Sequence, residues 1–237
     1  MQEREELTTK VAKAIYGVQL NRVREEVRAM EIQHGKIARV LEEIQTETDR
    51  SAAILLFALM DDTLIFYLQK FLNPNIKGGL ASVFEGSAML STAHSRITFA
   101  AMLYWISPET YSNLNLVRRI RNIFAHHTEV RDLNHSTVSG IVHSLDKFES
   151  FVLELPSVKE LDVKLSIRGL FIARCALLIV RLIRDLVVLR ASIANHVDPN
   201  DVVSDAWDEQ PNLKQLSYLA ADTITALLEK QKTELAI

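Results

Sequence analysis

The sequence predicts an all-α fold, a multi-helix bundle with a long N-terminal helical arm, and three features predict it. Breakers are scarce, with 7 Gly and 5 Pro in 237 residues. Leu, Ala, Arg and Glu, which favour helices, are abundant. Apolar residues recur at three- and four-residue spacing, and no stretch alternates as a strand would. At 48% hydrophobic residues, the chain can fill one sizeable core or two small ones.

Residues 1–48 are charged and periodic. Leu20, Val23, Val27, Met30, His34, Ile37, Leu41 and Ile44 follow a three-four spacing. Leu7, Val11, Ala14 and Val18 form an offset set, which reads as a stutter. Such a stripe marks a long helix packed along one seam. That seam faces either this chain's own core or a second copy, as a dimerising coiled coil. Residues 20–44 are expected to form one helix.

Residues 51–72 are apolar almost all round, as in a helix buried among others. Asn73-Pro74-Asn75 and Gly78-Gly79 end it in a turn. A short helix or loop leads to Gly86, and residues 91–106 read as the next helix. Ser107-Pro108-Glu109 is a strong start signal: an N-cap, a proline in the first turn and an acid beside it. Residues 134–153 form another helix, and residues 165–194 a long one stopped by Val197-Asp198-Pro199. An acidic loop follows, with Asp198, Asp201, Asp205, Asp208 and Glu209. A last amphipathic helix spans 213–235. The chain divides into an arm (1–48), a helical core (49–196), and an acidic loop with a C-terminal helix (197–237).

The formal charge of −3 and a pI near 6.2 argue against wholesale nucleic-acid binding. Residues 163–194 nevertheless hold six basic groups against Asp185 alone. A nucleic-acid face through Arg168, Arg174, Arg181, Arg184 and Arg190 is the less favoured reading. Neutralisation by the acidic loop at 198–209 competes with it. Cys175 is the only cysteine and lies in an apolar run, so it reads as a buried, inert thiol. The spacings of His94, His135 and His143 do not suit a metal. Phosphate-binding glycine loops, nucleophile elbows and zinc-protease motifs are absent, so no metal and no cofactor are expected. Asp61-Asp62 interrupts one apolar segment and five arginines interrupt the other. Neither offers the roughly 18 uncharged residues of a membrane span. Residues 1–6 do not resemble a signal peptide. A soluble, cytoplasmic protein with no membrane partner is expected.

The densest chemistry lies in Arg121-Asn122-Ile123-Phe124-Ala125-His126. A guanidinium, an amide and an imidazole stand among apolar residues, which means a satisfied structural network or a site. On a helix, Leu114, Val117, Ile120 and Phe124 share the core face and Arg121 sits at its rim. Arg118, Asn122 and His126 form a neighbouring stripe. His127 has no assigned role and is placed on the other side of the helix terminus. Asp61 and Asp62, odd in a buried helix, require a cation; Arg96 and Arg121 are the candidates.

Three motifs carry a resemblance. They are Ser51-Ala-Ala-Ile-Leu-Leu-Phe-Ala-Leu-Met-Asp-Asp62, then Phe84-Glu-Gly86 followed by Leu90-Ser-Thr-Ala-His-Ser-Arg-Ile97, and Val117-Arg-Arg-Ile-Arg-Asn-Ile-Phe-Ala-His126. This middle part of the chain resembles the mannitol operon repressor-like family. That family has a Gly-Pro-Leu step where this chain reads Gly86-Ser-Ala-Met-Leu90. The resemblance implies an all-helical regulator that acts through macromolecular binding, most readily protein–protein, within transcriptional control. A homodimer is the expected assembly. Arg121-Asn122-x-x-x-His126 also resembles the motif of HEPN domains, helical folds that include metal-independent ribonucleases. That resemblance implies His126 as acid or base, Arg121 as phosphate clamp and Asn122 as orienting group. Arg121 and His126 lie about 140° apart on a regular helix, so they converge only if the helix ends or distorts near Ala125, or if a second protomer supplies the partner group. The non-enzymatic reading is preferred.

Overall fold

A computed structural model describes residues 2–19, 34–73, 75–161, 164–195 and 211–235. Among the described residues there are eleven helices and no strand, so the fold is all-α. The helices are α1 (Gln2–Gln19), α2 (His34–Glu43), α3 (Asp49–Phe71), α4 (Ala81–Phe84), α5 (Ala93–Met102), α6 (Pro108–His126), α7 (Ser136–Ser144), α8 (Ser150–Leu153), α9 (Pro156–Lys159), α10 (Ile167–Asn195) and α11 (Pro211–Leu235).

The centre is built by α3, α6 and α10. Apolar residues surround α3, and Leu56, Met60, Leu64, Tyr67 and Leu68 are fully buried. Every residue from Phe171 to Val180 on α10 is buried. Uniform burial of this kind requires neighbours on all sides, and α10 packs on α3, α6, α7 and α11. By length and composition α3 could cross a membrane, but 56% of its most apolar window is buried inside the protein.

The described residues of the N-terminal part, 2–19 and 34–48, are laid on this core. Val11, Ala12 and Ile15 of α1 are fully buried against α11 and α10. Ile37, Leu41 and Ile44 are likewise buried within one protomer, where α2 meets α11 and α3. Val23, Val27 and Met30 lie outside the described residues. One continuous apolar cluster runs from Val11 to Leu228. All three expected segments, 1–48, 49–196 and 197–237, contribute residues to it.

Two expected helices end early, each for a local reason. The helix foreseen over 91–106 stops at Met102. There the N–H of Trp105 reaches Ala100 O at 2.9 Å and that of Tyr104 reaches Ala101 O at 3.0 Å. This pair of bonds closes a helix C-terminus with Tyr104 in the left-handed region, at φ 56°. The helix foreseen over 134–153 breaks after Ser144. Asn113 on α6 donates to Asp146 Oδ2 at 2.8 Å and accepts from the Asp146 N–H at 2.9 Å. That reciprocal pair takes the backbone of residue 146 away from the helix ladder.

Candidate functional site

Local sequence and one buried carboxylate fix α6. Ser107 caps it by accepting from the Thr110 N–H, and Pro108 fills the first turn. Fully buried Asp185, on α10, accepts from the Ser107 N–H at 2.9 Å and the Thr110 hydroxyl at 2.6 Å. Thr110, Asn113, Leu114, Val117, Ile120, Ile123 and Phe124 then form the buried face. At the other end Arg50 satisfies the C-terminus. It donates to Phe124 O at 2.6 Å, His127 O at 3.1 Å and Val130 O at 2.9 Å. A cation suits the negative end of the helix dipole. Its neighbour Asp49 accepts from the Leu133 N–H at 2.8 Å. The Asp49-Arg50 pair thus clamps the turn that carries the end of α6.

The opposite face of α6 is open. Asn115, Arg118, Arg119, Asn122 and His126 share it, with Leu116, Ile123 and His127 at its edges, around a shallow groove of about 420 Å³. His126 is exposed; Arg118 and Asn122 are half-buried. Arg118 donates to Asn115 Oδ1 at 3.3 Å, and Arg121 to Asn122 Oδ1 at 3.0 Å. His127 caps the helix and pairs with Glu129 at 3.0 Å. A hydrogen bond from the local backbone, and after it the one with His127, hold the Glu129 carboxyl below its usual range.

The stripe of Arg118, Asn122 and His126 is therefore where the spacing puts it. Arg121 is not among the lining residues. Its guanidinium lies 5.9 Å from the centre of the Phe57 ring, at the core edge. Arg121 and His126 do not line a common groove within one protomer. His127 lines the same groove as His126, contrary to the expectation that it faces away. Asn115 and Arg119 also belong to the groove; the helical spacing of 115, 119, 122 and 126 was the available signal. Among the described residues His126 is exposed and takes part in no buried network.

Asp61, Asp62 and Arg96 belong to a different place. Arg96 holds Asp61 with two bonds, of 2.9 and 2.6 Å, and also donates to Leu90 O at 2.7 Å. Asp62 is exposed and pairs with Lys36 at 2.5 Å. Four of the α10 arginines are neutralised internally. Arg168 pairs with Asp49, Arg174 with Glu149, Arg181 with Glu109 and Asp146, and Arg184 with Asp185. They form no open basic face. The side chain of Arg190 and the acidic loop at 198–209 lie outside the described residues. Among the described residues no group of three or more His, Cys, Asp or Glu side chains could hold a metal.

No protein-family model matches the chain, and no curated protein or solved structure matches it either.

Proposed function

We propose that this protein is a non-enzymatic cytoplasmic regulator that binds another macromolecule, a protein, through the open face of α6. One observation carries the reading. Arg118, Arg119, Asn122 and His126 line a solvent-open groove, while the arginines Arg96, Arg168, Arg174, Arg181 and Arg184 are spent on internal carboxylates. Leaving cations unpaired on a rigid helix suits recognition better than stability, because exposed charges add little to folding. The resemblance of the middle segment to the mannitol operon repressor-like family supports a role in transcriptional control.

The test compares recovery of partner proteins from native extract by the wild-type chain and by the Arg118→Gln/Arg119→Gln variant. Loss of a partner with an unchanged unfolding midpoint supports the reading. A retained partner set contradicts it.

A second reading is a HEPN-type ribonuclease. The exposure of His126 favours it, because a solvent-open imidazole can meet a substrate. It needs a second protomer to bring the motif arginine, Arg121, to His126, since Arg121 does not line the groove that holds His126. We expect purified protein to cleave no RNA. Cleavage lost in both Arg121→Ala and His126→Ala, with folding intact, would establish the second reading.

A further inference from the structure

We infer that the α6 groove takes an acidic segment of the partner protein, with aliphatic residues set among its carboxylates. The inference rests on the binding reading above and names its ligand chemistry.

Charge complementarity selects the carboxylates. Among the described residues Arg118 and Arg119, which line the groove, pair with no carboxylate. The partner of Arg118 is an amide, Asn115. At the groove's end Glu129 is already held by His127. A guanidinium fork binds a carboxylate in two parallel bonds, and the Asn122 amide adds a donor beside the arginines. The aliphatic component comes from the walls. Leu116 and Ile123 flank the cations along the groove. Side chains of Leu or Val type would cover them and remove water from the ion pairs.

Length sets the footprint. Asn115 to His126 spans about 16 Å of helix, which an extended segment of about five residues would cover. The same features disfavour a nucleic acid. No Phe, Tyr or Trp lines the groove to stack a base. Apolar walls would face phosphates.

The experiment is fluorescence anisotropy of the full chain with a labelled peptide of about ten residues built of Glu-Glu and Leu-Leu pairs in turn, so that each face of the extended segment carries both residue types. Its controls are the same peptide with Gln for Glu, an oligouridylate of similar length, and inorganic phosphate as competitor. The expected result is binding of the Glu peptide, weakened about tenfold or more by Gln for Glu and by Arg118→Gln/Arg119→Gln. Phosphate and oligouridylate should not displace it. Oligouridylate binding that the variant abolishes, without peptide binding, would overturn the acidic occupant yet leave α6 as a binding face. Peptide binding indifferent to the variant would overturn both the occupant and the face. Absence of binding by either probe overturns the acidic occupant, and partner recovery then decides the face separately.

Discussion

Arg96 grips Asp61 in a two-point ion pair, with Nη2 2.6 Å from Oδ2 and the two side chains only 8% and 17% exposed. The pair ties α5 to the central helix α3, in a place where an unpaired charge would be expensive. Breaking such a buried pair from one side costs about 3–5 kcal/mol. Asp61→Ala and Arg96→Ala should each lower chemical stability by an amount of that order. Asp62→Ala should be near neutral, because the exposed pair with Lys36 contributes about 0–1 kcal/mol. Denaturant unfolding of the three variants checks the contrast. Equal effects at 61 and 62 would contradict it.

Tyr104 sits in the left-handed region with 76% of its surface exposed. A residue with a Cβ is strained there, and glycine is not. Tyr104→Gly should therefore raise stability by about 0.5–1 kcal/mol, after allowance for the greater freedom of glycine in the unfolded chain. Tyr104→Ala should not share the gain. A fall in the unfolding midpoint of the glycine variant would show that the ring holds the turn.

Cys175 is fully buried on α10, and burial pushes its thiol far above the usual range. The native protein should not react with a disulfide reagent such as DTNB. One thiol per chain should titrate once denaturant is added. Prompt reaction of the folded protein would mean that α10 opens locally.

Much of the fold was legible because its signals are local. Ser107-Pro108-Glu109 encodes its own cap, and the spacing of Arg118, Asn122 and His126 places them on one stripe without reference to any other helix. Asp61 in an apolar helix announced a cation, since burial forbids it alone. The identity of the cation was less legible. Phe57 and Asp61 are one turn apart on α3; Arg121 comes to rest on the first and Arg96 on the second. That choice depends on how α5 and α6 cross α3, which no spacing within one segment reports. Asp185 was visible only as a countercharge among arginines. Its role beneath the start of α6 joins residues 78 apart in sequence, from Ser107 to Asp185. Likewise the break at Asp146 is imposed by Asn113 from another helix, so the apolar pattern of 134–153 could not show it.

The central claim, that the open face of α6 is a protein-binding surface, is tested most directly by photo-crosslinking from position 119 in native extract. The full chain would carry a photoreactive side chain in place of Arg119, with Glu160, exposed beyond α9, as the control position. The account predicts a discrete protein adduct from 119 that is absent from 160 and suppressed by Arg118→Gln. RNA adducts from 119, or identical adducts from both positions, would contradict it.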